Sequence, residues 1–415
     1  MAETTIEPTL ASLSDRLRVL HRQTRETPLF NPVFQLSLDI SRKLENGELD
    51  IGQLAGLVDE LEAQSLDARA SRLKKLLRPD RAGERLTQLS APNGNFEAFR
   101  AFWERPHMHA VFTAHPTFLL SPQQSDAVAA AVGNGGKATV RDGERPEITL
   151  RYEHGRAMSA MANAQDARDK LVATVLRQAG EAFPDRWTEL QPLPFRFATW
   201  VGYDMDGRTD IKWYTSIAFR LAEKAERLGR YAASLKAIDP SHELIATLRS
   251  ARERAQASAD EFAGDLSAPE DMSAAANRLT QDHPDKLLSL APLIERLEGE
   301  ADEQGVDTAV TLRTLAAAMR ADGLGMGWIH FRVNAKQLHN AIRTRLGDAA
   351  DIDLSSRGAV AALRELLAEV EPQSANFASL AVESSTAIRQ FLVMTQILKH
   401  VDADAPIRML VAECE

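Results

Sequence analysis

The stretch Ala110-Val111-Phe112-Thr113-Ala114-His115-Pro116-Thr117 interrupts an otherwise helical sequence, and its reading decides the fold. Apolar and β-branched residues run up to a proline. Pro116 holds His115 towards extended backbone and ends any regular element there, so the stretch reads as a short strand closing in a polar turn. Two later stretches have the same build. One is Phe195-Arg196-Phe197-Ala198-Thr199-Trp200-Val201-Gly202, running into Tyr203-Asp204-Met205-Asp206-Gly207. The other is Trp328-Ile329-His330-Phe331-Arg332-Val333-Asn334. Aromatic and β-branched residues bounded by glycine or proline mark strands. Strands separated by helices pair in parallel, and the best-known closed form is the (β/α) barrel. The separations, about 85 and 130 residues, far exceed the ~30 of a simple βαβ unit. The expected fold is therefore mainly α with a few parallel strands, part of a (β/α) barrel carrying large helical insertions.

Outward from these strands the helical period dominates. From Leu49 to Leu77 apolar residues fall at Leu54, Leu57, Val58, Leu61, Leu66, Leu73 and Leu77, one stripe of a helix. Trp213 to Ile238 repeats the pattern and ends at Asp239-Pro240, where Asp239 is placed to cap the next helix and Pro240 to open it. Further helices are expected at 156–181, 240–264, 284–299, 307–321, 356–370 and 376–400. A glycine-rich loop is expected from Ala131 to Glu144. Ala405-Pro406 opens an apolar stretch, Ile407 to Val411, that reads as a final helix. The charge-rich helical faces read as solvated surface. These elements divide the chain into a helical N-terminal region, 1–105, and a region of strands with helical insertions, 106–415.

Composition narrows the function classes. Among 415 residues there are 59 acidic and 49 basic side chains, a formal charge of −10, which argues against a nucleic-acid binder. One cysteine, Cys414, excludes a disulfide framework built from this chain. No run of 18 apolar residues occurs, so no membrane-spanning helix is expected, and the acidic start Met1-Ala2-Glu3-Thr4-Thr5-Ile6-Glu7 is unlike a signal peptide. A cytoplasmic protein is the expectation.

Several residues carry candidate chemistry. His115 lies at an expected strand end between hydroxyls, where an imidazole suits proton transfer, although a buried structural histidine has the same sequence signature. His107, His109 and His115 together invite a metal reading, and with it a metal-dependent hydrolase. Asp204 and Asp206 place two carboxylates in one glycine turn, able to bind a hard cation or simply to accept backbone N–H bonds. His330, Arg332 and Asn334 alternate, so they share one face of their strand. They either line a pocket or face solvent while Ile329, Phe331 and Val333 face the core. Arg151, Arg156 and Arg196 are further candidate anion ligands.

Three of these segments, in order, resemble phosphoenolpyruvate carboxylase. Val111-Phe112-Thr113-Ala114-His115-Pro116-Thr117 is similar to the family's V-L-T-A-H-P-T-E. Arg196-Phe197-Ala198-Thr199-Trp200-Val201-Gly202-Tyr203-Asp204-Met205-Asp206-Gly207-Arg208 is similar to R-F-x-S-W-M-G-G-D-R-D-G-N. Gly325 to Ala335 aligns with G-M-x-L-V-x-L-D-I-R-Q, and the stretch from Ala405 resembles a helix near the family's midpoint. The resemblance covers nearly the whole chain but only the N-terminal half of a usual family member.

The resemblance implies carboxylation of phosphoenolpyruvate by bicarbonate to oxaloacetate and phosphate, with Mg²⁺ or Mn²⁺. It makes His115 catalytic and Arg196, Asp204, Asp206 and Asn334 substrate-binding or site-supporting. The family's metal-binding carboxylates, catalytic lysine and glycine-arginine-rich loop have no match here, so the cation's ligands and a complementary C-terminal polypeptide are expected from elsewhere. The family assembles as tetramers, which implies a homo-oligomer. Phe118, Met205, Arg208 and Asn334 depart from the family's glutamate, arginine, asparagine and arginine. Methionine and asparagine cannot make the bidentate contacts by which guanidinium holds phosphate. The competing expectation is a non-catalytic relative serving as a helical interaction or regulatory module.

Overall fold

In a computed structural model of the chain, residues 9–24, 30–90, 94–113, 120–138, 146–206, 208–346, 353, 356–368 and 375–413 are described. His115, Phe118, Gly207 and Cys414 lie outside them. The chain forms two compact units, one from residues 1–85 with 119–146 and one from 86–118 with 147–415.

The smaller unit is helical. It contains α1 (Leu10–Gln23), α2 (Pro32–Glu45) and α3 (Ile51–Leu77); α4 (Ala82–Ser90) begins within it. The larger unit adds α5 (Phe96–Trp103) and the first strand, β1 (Met108–Phe112), and the chain then returns to the smaller unit as α6 (Pro122–Asn134). Asp50 caps α3 by accepting the Gln53 N–H, as the sequence Asp50-x-x-Gln53 prescribes. Leu66 and Ala70 of α3 pack on Val128 and Ala131 of α6. The expected stripe is only partly used, since Val58, Leu61 and Leu77 remain exposed. Ala131 to Asn134, expected as loop, form the last turn of α6, and Gly135 at φ 82° closes it.

The larger unit continues with α7 (Leu150–Ala182), β2 (Phe195–Thr199), α8 (Trp213–Ile238), α9 (Leu244–Phe262), α10 (Pro269–Thr280), α11 (Ala291–Asp302) and α12 (Val306–Asp322). It ends with β3 (Trp328–Asn334), α13 (Ala335–Leu346), α14 (Arg357–Ala368), α15 (Phe377–Val382), α16 (Thr386–His400) and β4 (Ile407–Ala412). The four strands form one parallel sheet in the order β1-β2-β3-β4. The protein is thus mainly helical with a small parallel sheet, as expected. Among the described residues no helix is long and apolar enough to cross a membrane.

Three expectations are corrected. Ile407 to Ala412 is not a helix but β4, in register with β3 from Ile329↔Ile407 to Asn334↔Ala412. Residues 376–400 form two helices, because Ser385 caps a second start by accepting the Ile388 N–H. Asp239 accepts from the N–H and hydroxyl of Ser241, closing a local turn, and α9 begins only at Leu244.

One side of the sheet is apolar. Ile329 and Phe331 join Tyr203, Ile217, Phe219, Phe262, Val393 and Ile397, while Phe197 joins Met158 and Met161 of α7. Gly327 enters β3 at φ 138°, and a Cβ there would stand 2.6 Å from the Phe197 carbonyl oxygen, so only glycine allows β2 and β3 to approach at this point.

Candidate functional site

Ligand sites of parallel sheets lie beyond the C-terminal ends of the strands. β1 ends at Phe112, whose carbonyl accepts the Thr199 hydroxyl at 2.8 Å; the same oxygen of Thr199 accepts the Val201 N–H at 3.1 Å. Thr199 therefore fastens the end of β1 to the turn that follows β2. His115 follows β1 by three positions but lies outside the described residues.

The turn after β2 is fixed from below. Gly202 has φ 88°, the Phe219 ring fills the space a Cβ would need, and Tyr203 is fully buried with its hydroxyl donating to Glu223 at 2.7 Å. Met205 packs into the same apolar cluster as Tyr203 and Phe331. The two carboxylates of the turn remain at the rim. Asp204 accepts the Asp206 N–H at 3.2 Å and lies 3.6 Å from the Arg332 guanidinium. Burial raises the Asp204 carboxyl above its ordinary range, against the opposing pull of the Asp206 N–H and Arg332. Asp206 accepts from Gln337 at 3.1 Å. At the end of β3, Asn334 accepts the Lys336 N–H at 2.8 Å and donates to Glu413 just after β4.

Asp204, Asp206 and Asn334 are thus gathered at the strand ends, whereas Arg196 is not with them. As the second residue of β2 it sits at the opposite end of that strand. Its guanidinium carbon lies 4.9 Å from the centroid of the Trp328 ring. Ile329, Phe331 and Val333 are buried, so the alternate set of β3 faces away from the core.

That second face holds groups the sequence did not bring together. His109 on β1 and His330 on β3 meet across β2, with Nε2 atoms 3.1 Å apart and ring planes within 4° of parallel. Arg408 of β4 lies 4.7 Å from the Trp328 centroid, so Trp328 is contacted by guanidiniums from both neighbouring strands. Burial, then His109 and Arg408, push the His330 imidazole down to about 4; burial, then Arg408 and Arg196, lower His109. Ring contacts tie His107 elsewhere, with its Nε2 2.8 Å from the Phe102 carbonyl. His107 and His109 therefore do not converge, and among the described residues no three histidine, cysteine or carboxylate side chains are grouped to hold a metal.

Charged residues of α8, expected on a solvated face, are instead buried. Arg220 donates to Asp402 at 2.5 Å, to Glu223 at 3.0 Å and to the Gly327 carbonyl at 3.2 Å. Glu223 also pairs with His154 at 3.0 Å. Arg227 and Arg168 share Asp322. One helix thereby braces the turn after β2 and the entries to β3 and β4.

Arg408 was missed because its strand reads as a helix, and the signal that could have placed it is the β-branched, proline-bounded run Pro406 to Val411. Nothing local in the sequence joins His109 to His330. No protein-family model matches the sequence, and no curated protein is significantly similar to it.

Proposed function

We propose that this chain is half of a phosphoenolpyruvate carboxylase-type (β/α) barrel, contributing strand-end groups to a site completed by a C-terminal polypeptide. The observation that carries this reading is the placement of the motif residues. The histidine motif continues directly from the end of β1, and Asp204 and Asp206 follow the end of β2, its parallel neighbour. Side chains of the alternate strands β1 and β3 meet over the small Ala198 of β2, as interior layers of a barrel do. β1 and β4 each have one unpaired edge within the described sheet, where further strands would add.

In the family's reaction bicarbonate attacks the phosphate of phosphoenolpyruvate, giving carboxyphosphate and an enolate. His115 takes the carboxyphosphate proton, and the released carbon dioxide joins the enolate to form oxaloacetate. The Mg²⁺ or Mn²⁺ site does not fit the described residues. Asp204 is engaged with Arg332, and Asp206 with Gln337, so the cation's ligands belong to the complement.

The test mixes the chain with phosphoenolpyruvate, bicarbonate and Mg²⁺, with and without a co-purifying C-terminal polypeptide, and follows oxaloacetate by coupled reduction. Turnover only with the partner, lost in His115→Asn, is the expected result. A bound partner with no oxaloacetate formed refutes it. One observation favours the alternative, a non-catalytic relative acting as an interaction module: near the strand ends Arg332 and Arg208 are each paired with carboxylates, and Met205 is buried. In that case calorimetry finds no phosphoenolpyruvate binding with or without the partner.

A further inference from the structure

The sheet face that carries His109, Arg196, Trp328, His330 and Arg408 is set by register. His109 pairs with Arg196, Ala198 with Trp328 and His330 with Arg408, and parallel partners point to the same side. The opposite side is the one buried against α7, α8 and α16. Among the described residues neither Arg196 nor Arg408 has a carboxylate partner, although most buried arginines of this chain, such as Arg168, Arg220 and Arg227, do. Three polar atoms here are also buried without a hydrogen bond among the described residues: Arg196 Nε, His109 Nδ1 and His330 Nδ1, the last on a side chain 4% exposed. Buried donors and acceptors are normally satisfied, so a face that leaves three open and two guanidiniums unpaired is built to meet something else.

We propose that this face docks a polypeptide segment whose carboxylates pair with Arg196 and Arg408 on either strand beside Trp328. Guanidinium and carboxylate match bidentately, and the planar Trp328 ring gives the segment's stems an apolar seat. Exposed apolar Met108 on β1 and Val411 on β4 flank the face, a rim suited to protein. A second copy of this chain would bring the same cations face to face, so the partner is a different, acidic polypeptide. The inference concerns the face rather than the strand ends. It stands whether or not those ends carry carboxylase chemistry.

Synthetic decaglutamate is the probe, titrated into the chain at low salt by calorimetry with the histidine C2–H resonances followed in parallel. A chain of net charge −10 attracts an acidic peptide only where a local patch is basic. Saturable binding that moves the His109 and His330 signals is expected. It should weaken roughly tenfold or more in the Arg196→Gln/Arg408→Gln variant, since each charge-assisted pair is worth about a factor of ten. Arg408 is exposed, so Arg408→Gln alone supplies the comparison if the double variant does not fold. Equal binding by the variants, no binding of decaglutamate at millimolar concentration, or tighter binding of a single-stranded oligothymidylate overturns the proposal.

Discussion

Asp322→Ala removes the anion on which three helices behind the sheet converge. Asp322, at the end of α12, accepts Arg168 of α7 through both oxygens, at 2.6 and 2.7 Å, and Arg227 of α8 through one of them. All three side chains are at most 3% exposed. Burial alone would raise the Asp322 carboxyl, but the two guanidiniums outweigh it and hold the group below the ordinary carboxylate range. Removing the shared carboxylate leaves two guanidiniums in an apolar interior with only Asp169, Gln165 and the Tyr231 ring nearby. Breaking a buried ion pair in this way costs about 3–5 kcal/mol. In a unit of this size that lowers the melting temperature by roughly 6–10 °C, because the shift per kcal/mol shrinks as the chain lengthens. Urea unfolding followed by circular dichroism measures the loss. Replacing the triad together, Arg168→Met with Asp322→Leu and Arg227→Met, should recover most of it, since no charge is then stranded. A loss below about 1 kcal/mol for Asp322→Ala would mean that the carboxylate is not bracing these helices and would refute the reasoning.

Two further outcomes follow from the geometry. Gly327→Ala should cost well over 1 kcal/mol, because its Cβ would meet the Phe197 carbonyl at 2.6 Å from a backbone at φ 138°. Gly155→Ala, on an open position of α7, should instead gain about 0.5–1 kcal/mol, and thermal melts of the pair separate the two effects. Burial pushes the Lys224 ammonium down to about 7 from 10.5, while its amine donates to the Leu287 and Val401 carbonyls. Between those values the unfolded chain holds a proton that the folded chain lacks, so stability rises with pH across that window. Lys224→Met should flatten the rise, as read by urea unfolding at pH 7 and pH 9; an unchanged slope excludes Lys224 as its source.

The helices were legible because each buries a face at its own period; Trp213–Ile238 lies where the sequence places it. β4 was not. Six residues, Ile407-Arg408-Met409-Leu410-Val411-Ala412, fit either one and a half helical turns or a short strand, and periodicity cannot separate the two. Only pairing with β3 decides it, and pairing is not local. The same limit applies to the candidate site. The Asp204–Asp206 turn is local and was found. The opposed imidazoles of His109 and His330 and the flanked Trp328 depend on which strands become neighbours. Burial of Arg220, Glu223, Lys224 and Arg227 was hidden for a related reason: four ionisable residues on a helix read as surface until their counter-charges, Asp322 and Asp402, arrive from distant segments.

The long crossovers of the sheet also set a timetable for synthesis. The Thr199 hydroxyl reaches a carbonyl 87 residues back on β1, and His330 meets a histidine 221 residues back. At roughly 5–20 residues per second, β1 waits some 4–17 s on the ribosome for its first neighbour, and His109 about 10–45 s for its partner. During that interval β1 can add to any strand that passes, while α7 and the α8–α9 hairpin, whose contacts are local, fold at once. The sheet is thus the last structure the nascent chain acquires, and demand for chaperones should fall on the segment that ends at Phe112.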